Sequence, residues 1–141
     1  MRVIDAEGRV LGRLAVEVAK IARKGEEVTI INADRAVISG RMEAAVAKYL
    51  TRRQRGSPQH GPFFPRGPEG IVRRAIRGMV GFKTPEGKVA FAKVKVYVGI
   101  PEEFKAQKAE KLGKGTEDLQ CEFVLIGELS KQLGYYYANE K

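Results

Sequence analysis

The sequence predicts an α/β domain in which helices cover a parallel sheet. Three observations carry that reading. Val28-Thr29-Ile30-Ile31 is β-branched at every position, as in a strand buried on both faces. An amphipathic stretch and a short apolar start precede it, so the first 32 residues read strand, helix, strand, and a crossover of that kind joins parallel strands. With 141 residues, 43% of them apolar, the chain is expected to form one domain over 1–141 around one core.

Met1-Arg2-Val3-Ile4-Asp5 is the first strand, closed by a turn at Ala6-Glu7-Gly8. It has the layout of a strand and not of a signal peptide. Leu11, Leu14, Ala15, Val18, Ile21 and Ala22 then recur at the spacing of a buried helix face, with Arg13, Glu17, Lys20 and Lys24 on the other side and Gly25 as the stop. After the Val28–Ile31 strand, a second helix is predicted over 42–53, with Met42, Ala45, Val46, Tyr49 and Leu50 as its apolar stripe. Four of the six prolines and four glycines fall between Gln54 and Gly70. That makes a loop of roughly 15 residues, longer than compact domains usually tolerate without a function. It carries Arg55, His60 and Arg66 beside Phe63 and Phe64, and at least one of the two phenylalanines is expected to pin the loop to the core.

A third helix is predicted over 69–80, burying Val72, Ala75, Ile76 and Met79 and placing Arg73, Arg74 and Arg77 on the opposite face. Residues 88–92 read as a helical turn, 94–98 as a strand ending at Gly99, 122–126 as a last strand and 128–133 as a short helix stopped by Gly134. Residues 102–119 are polar and low in β-branched types, and read as partly helical surface or linker.

The net charge is +9, and its location is more informative than its size. Residues 1–34 hold six basic and six acidic side chains, and residues 89–141 hold eight of each. Residues 35–88 hold twelve Lys/Arg against Glu43, Glu69 and Glu86, so the whole surplus of nine lies there. A localised surplus points to a polyanion, either nucleic acid or an anionic membrane surface. A membrane is the weaker reading, because no apolar run approaches the roughly 20 residues of a spanning helix. With Cys121 as the sole cysteine, no intramolecular disulfide is possible, which fits a reducing cytoplasm.

Catalytic chemistry is poorly supplied. One His and one Cys cannot build a structural zinc site of the usual type, and no Ser sits in a Gly-x-Ser-x-Gly elbow. No catalytic residue, metal or cofactor is therefore expected. Gly8-Arg9-Val10-Leu11-Gly12-Arg13 imitates a nucleotide-binding turn but matches neither the dinucleotide fingerprint nor a phosphate-binding loop. Gly8 is read as serving the turn, and Gly12 close packing of the helix on the sheet. A nucleotide-binding α/β enzyme using this turn is kept as an alternative, as is an RNA-binding regulator acting away from ribosomes.

Five blocks carry a resemblance: Asp5-Ala-Glu-Gly-Arg-Val-Leu-Gly-Arg-Leu-Ala15, Ile31-Asn-Ala-Asp-Arg-Ala-Val-Ile-Ser-Gly40, Gly61-Pro-Phe-Phe-Pro-Arg66, Ile76-Arg-Gly-Met79 and Val96-Tyr-Val-Gly-Ile-Pro101. Together with Gly127-Glu-Leu-Ser130 they resemble the large-subunit ribosomal protein L13 family, in the version found in archaea and eukaryotes. Residues 102–120 are variable in such proteins. Leu125-Ile126 stands where the family often has Thr-Leu, so a helix-capping hydroxyl is missing. The resemblance implies a three-layer α/β/α fold with a four-stranded parallel sheet. It also implies a structural, non-enzymatic role in the large (50S) ribosomal subunit, early in assembly. The implied partners are 23S-type ribosomal RNA and neighbouring ribosomal proteins in the cytoplasm, with no membrane and no small-molecule substrate. The RNA-facing segment is expected to be 41–88. Its contacts are expected from Arg41, Lys48, Arg52, Arg53 and Arg55, from His60 and Arg66 in the loop, from Arg73, Arg74 and Arg77, and from Lys83 and Lys88.

Overall fold

The structure is a computed structural model that describes residues 2–135. The strand–helix–strand start is present. Strand β1 (Arg2–Asp5), helix α1 (Leu11–Arg23) and strand β2 (Val28–Ile31) follow in order, and β1 pairs parallel with β2 from Arg2–Val28 to Asp5–Ile31. Met1, read with the first strand, lies outside the described residues. All four residues of β2 are buried, as its β-branched run requires. Strand β3 (Val37–Ser39), helix α2 (Met42–Gln54), helix α3 (Pro68–Val80) and helix α4 (Pro85–Ala92) come next. Strand β4 (Val94–Val96), strand β5 (Phe123–Leu125) and helix α5 (Ile126–Gln132) complete the order. Short 3-10 turns occupy Glu102–Phe104 and Thr116–Asp118, so the 102–119 stretch is partly helical as expected.

The parallel sheet has three strands in the order β1-β2-β4, and β3 and β5 form a separate antiparallel pair. The four-stranded sheet is therefore a wrong expectation. What stands beside β1 is a single bridge. The Asp5 N–H donates to the Glu110 carbonyl at 2.8 Å, and the Glu110 N–H donates to the Val3 carbonyl at 3.0 Å. The neighbouring sequence, Gln107 to Lys114, is rich in Lys and lacks the β-branched residues that would prolong the pairing. Strand β3 has no counterpart in the sequence reading. It is three residues long and pairs with β5 across some 85 intervening residues, so no local signal announces it.

The layering also departs from α/β/α. Helices α1, α3 and α4 pack on one another, and one large core joins them to Ile4, Val28, Ile30 and Val94 of the sheet. On the other side, Val3 and Ile31 pack with Phe104, and Tyr97 and Ala109 lean against that cluster. It contains no α-helical residue, so that face is covered by the 97–110 segment instead of a second helix layer. Such cover suffices because only alternate residues of the short strands point that way.

Helices α3 and α4 meet at a tight corner. Pro68 and Pro85 open the two helices at a position where a missing N–H costs nothing, and the Thr84 hydroxyl caps α4 by accepting from the Gly87 N–H at 3.0 Å. Gly81 ends α3 in the left-handed region, at φ 74°. A Cβ on Gly87 would stand 1.9 Å from the Gly81 carbonyl oxygen, so α4 approaches to backbone distance. The buried side of α3 is Ile71, Val72, Ile76 and Val80, whereas Met79 is 48% exposed and Ala75 half-buried. Periodicity had placed Met79 inside. Its helical phase is right, but the neighbours that bury the last turn, α1 and α4, close over Val80: the Arg23 guanidinium donates to the Val80 carbonyl at 2.9 Å.

Gly12 is a second correction. It is exposed, and a Cβ there would meet nothing within 4 Å, so it does not serve close packing. The two glycines therefore separate in a simple experiment. Gly87→Ala is expected to destabilise by about 1–3 kcal/mol or more, because backbone must move. Gly12→Ala is expected to stabilise by up to about 0.5–1 kcal/mol through helix propensity. Urea midpoints of the two variants against the parent read both signs.

Candidate nucleic-acid interface

Helix α2 turns Ala45 and Tyr49 inward, with Met42, Val46 and Leu50 half-buried beside them. Lys48, Arg52 and Arg55 fall on its outer side and, with Ala47 and Thr51, line a shallow groove of about 470 Å³. The following loop is ordered by its own turn. Ser57 and Gly61 exchange backbone hydrogen bonds at 3.2 and 2.9 Å, and the His60 N–H donates to the Ser57 hydroxyl at 3.0 Å. The two adjacent phenylalanines then part. Phe64 packs edge-on to Tyr49 with ring centres 5.6 Å apart, while Phe63 is 69% exposed. The expectation that at least one of them pins the loop holds for Phe64.

The three arginines of α3 span an arc of about 100°, and each lies over an aromatic ring from a different segment. The Arg73 guanidinium carbon is 4.1 Å from the centre of the Phe91 ring in α4, and that of Arg77 is 4.2 Å from Phe82 in the turn before α4. Arg74 stands 4.9 Å from Phe64 of the loop. Phe82 and Phe91 meet edge-on at 5.4 Å, so Arg73, Phe91, Phe82 and Arg77 form one continuous cluster. The face of an aromatic ring is its negative side, so each ring holds a cation in place. Arg52 of α2 also faces Phe64, at 5.7 Å, and Tyr49, at 5.4 Å, which links the α2 groove to α3 through one shared ring. Burial pushes the Tyr49 hydroxyl pKa up, and the Arg52 charge pulls it back down in part.

Two grooves flank this row. One, of about 380 Å³, lies between Pro65, Arg73, Arg74, Arg77 and Phe91. The other, of about 460 Å³, is lined by Arg74, Arg77, Phe82, Lys83 and Thr84. Outside residues 41–88 four of the cations sit with acids: Arg2 with Glu110 and Glu26, Arg9 with Glu117, Lys20 with Glu17, Arg35 with Glu7. Within 41–88, among the described residues, only Arg41 forms an ion pair, with Glu122 at 4.0 Å between two exposed side chains.

The sequence-predicted cations thus do not all join this surface. Lys48, Arg52 and Arg55 are brought together, as are Arg73, Arg74, Arg77 and Lys83. Arg53 turns the other way, donating to the Leu133 carbonyl at 3.3 Å. The Arg66 guanidinium lies near Gly134, where a Cβ would stand 3.8 Å from it. His60 and Lys88 are exposed and line none of these grooves, and Arg41 sits at the far end of α2. Sequence reasoning missed Phe82 and Phe91. An aromatic lying between clustered cations is a signal available in the sequence, but the register that sets ring under guanidinium is tertiary.

The turn that opens α1 is covered by the chain itself. The Val10 N–H donates to the Lys114 carbonyl at 2.8 Å, and the Thr116 N–H donates to the Gly8 carbonyl at 2.9 Å. A Cβ on Gly113 would stand 3.2 Å from the Leu14 nitrogen. A phosphate at the start of α1 would have to displace that segment. The described residues hold no group of three metal-ligating side chains and no helix long and apolar enough to cross a membrane.

Basic grooves with acid-free arginines, on a domain of this kind, define a polyanion-binding protein. The family model for ribosomal protein L13 matches residues 1–103. The large ribosomal subunit protein uL13 of Methanococcoides burtonii is 46% identical over 138 residues, covering 95% of this chain and 98% of its own length. That of Thermoplasma acidophilum is 43% identical, covering 96% and 100%, and that of Methanocaldococcus jannaschii is 44% identical, covering 95% and 98%. The chain belongs to the ribosomal protein L13 family.

The stacked pairs predict a measurable coupling. In a double-mutant cycle of Arg77→Met and Phe82→Leu, urea unfolding is expected to return about 0.5–1 kcal/mol of interaction. Additive single effects would show that ring and guanidinium merely lie side by side.

Proposed function

We propose that the chain is a structural constituent of the large ribosomal subunit that binds large-subunit ribosomal RNA and neighbouring ribosomal proteins and acts early in subunit assembly. Family membership supports the ribosomal, non-enzymatic role, and with it a place in the cytoplasmic ribosome. One observation carries the RNA contact: the row Arg52, Arg74, Arg77, Arg73, seated on rings and free of ion pairs with acids among the described residues. A guanidinium held over a ring keeps its charge, so its N–H groups can still form paired hydrogen bonds to a phosphate. The whole chain acts as one domain whose 41–88 segment faces the RNA. Lys48, Arg55, Lys83 and Lys88 extend the phosphate surface on either side of the row. Arg41, His60 and Arg66 contact RNA at its margins, and Arg53 takes part only at its exposed edge. Such contacts fix position more than they read sequence.

Counterions released by these contacts make affinity salt-dependent, with log affinity falling by roughly 0.7–0.9 per phosphate neutralised for each unit of log salt. Six contacts give a slope of about four to five, measured by filter binding to protein-free large-subunit RNA. A salt-insensitive interaction would remove the mechanism.

Reversing Arg73, Arg74 and Arg77 to Glu is expected to cost about 0.5–1 kcal/mol per lost ring contact while the fold persists. The variant should stay at the top of a sucrose gradient while the parent sediments with large subunits through a moderate salt wash. Loss of helical circular dichroism in the variant would show instead that these side chains are needed for the core.

A further inference from the structure

We infer that Phe63 is a base-stacking residue, its ring held off the surface of the α2–α3 loop to receive the face of an unpaired RNA base. The inference rests on the RNA-binding reading above and assigns a contact that the arginines cannot make.

Phe63 and Phe64 are neighbours with opposite fates. Phe64 is taken into the core against Tyr49, and Phe63 is left 69% exposed, forgoing the burial that a phenylalanine ordinarily gains on folding. Nor is the ring simply loose. Its Cδ2 and Cε2 atoms lie so close to Gly61 that a Cβ there would stand 3.1 and 3.2 Å away. Gly61 itself is fixed, in the left-handed region at φ 75° and bonded to Ser57 in both directions. A Cβ on Gly56 would stand 1.8 Å from the Gly61 carbonyl oxygen, so the turn beneath the ring is closed to backbone distance. The ring rests one edge on a glycine and turns the rest to solvent. A presented ring of this kind has little freedom left to lose on binding.

The surroundings choose the ligand. Residues 54–68 hold Arg55, His60 and Arg66 and no acid, and Arg55 lines the groove of α2. An anchor for a protein partner is usually ringed by further apolar side chains, whereas here the loop that carries the ring holds basic residues and no acid, and the adjacent phenylalanine is turned inward. Cations for the backbone beside an aromatic for the base is the chemistry that recognises single-stranded RNA. Bases inside a duplex are already stacked on both faces, so the ligand is a base in a loop, a bulge or a flipped position.

The chain has no tryptophan, so Phe63→Trp supplies a sole indole at the site. The full chain carrying it is titrated with protein-free large-subunit RNA and, separately, with a fully paired RNA duplex. Quenching by the ribosomal RNA and none by the duplex is expected. In filter binding, Phe63→Ala and Phe63→Leu should each weaken ribosomal RNA binding by between about 5- and 150-fold, the range for one stacked base. Phe63→Tyr and Phe63→Trp should bind like the parent, and all four should keep its salt slope, because no phosphate contact is removed. The assignment is overturned if Phe63→Leu binds as well as the parent, which shows an apolar contact suffices, or if the indole stays unquenched in a variant that binds. Should Phe63→Ala keep full affinity while the three-arginine reversal loses it, only the stacking falls. If the parent itself fails to bind the RNA, the interface reading falls with it.

Discussion

Helix α3 meets two demands that conflict, and the structure turns on how they are reconciled. Ile71, Val72, Ile76 and Val80 commit one side of it to the core, while Arg73, Arg74 and Arg77 crowd the other without an ion-paired acid among the described residues. Like charges on neighbouring turns destabilise a helix. Here each guanidinium is set against the negative face of a ring, which attracts the cation without cancelling its charge. An acid would also have relieved the repulsion, but it would have competed with phosphate for the same N–H groups. The ring relieves it and leaves those groups available.

The rings come from three places: the α2–α3 loop, the turn after α3, and α4. Ordering the arginines therefore requires that all three be docked, and the fold supplies that docking from beneath. The Gly81–Gly87 corner sets α4 against the end of α3, and with it Phe91 under Arg73. Phe64 brings the loop down onto Tyr49 of α2, so Arg52 and Arg74 converge on one ring from two helices. Side chains held in this way lose less freedom when a phosphate arrives than lysines on a bare surface would. The loop, long for a domain of this size, is the piece that joins the two basic helices into one surface.

What the sequence discloses follows the range of the interaction that builds each feature. Val28–Ile31 and the stripe of α1 are legible because side-chain periodicity is local and their neighbours are packed on every side. The charge surplus in 35–88 is legible because acids and bases can be counted. Met79 is not, since its phase along α3 is correct and only the placement of α1 and α4 decides that Val80 is the buried residue. Strand β3 and the single bridge at Glu110 depend on partners far along the chain, and three residues are too few to show a period. The site divides in the same way. Which side chains are cationic is written in the sequence. That Arg53 and Arg66 turn toward the end of α5 while Arg52 and Arg74 share a ring is a matter of tertiary register.

That register also separates the electrostatics of binding from the electrostatics of the fold. Arg2 with Glu110 and Arg9 with Glu117 tether the 110–117 segment over β1 and the opening of α1. In each pair one group shifts: the hydrogen bond and charge of Glu110 raise the Arg2 pKa, and the backbone N–H of Glu117, followed by the charge of Arg9, lowers the Glu117 pKa. These pairs are exposed or nearly so, and pairs of that kind contribute little to stability beside the buried apolar core. Salt weakens them only slightly in absolute terms, because so little stability resides there. The acid-free arginines, as the proposed phosphate contacts, would respond very differently, since every phosphate neutralised adds to the salt dependence of binding. On the proposed reading, rising ionic strength thus strips the surface of its ligand well before it disturbs the domain. Arginines that had instead been paired internally would have tied the two responses together.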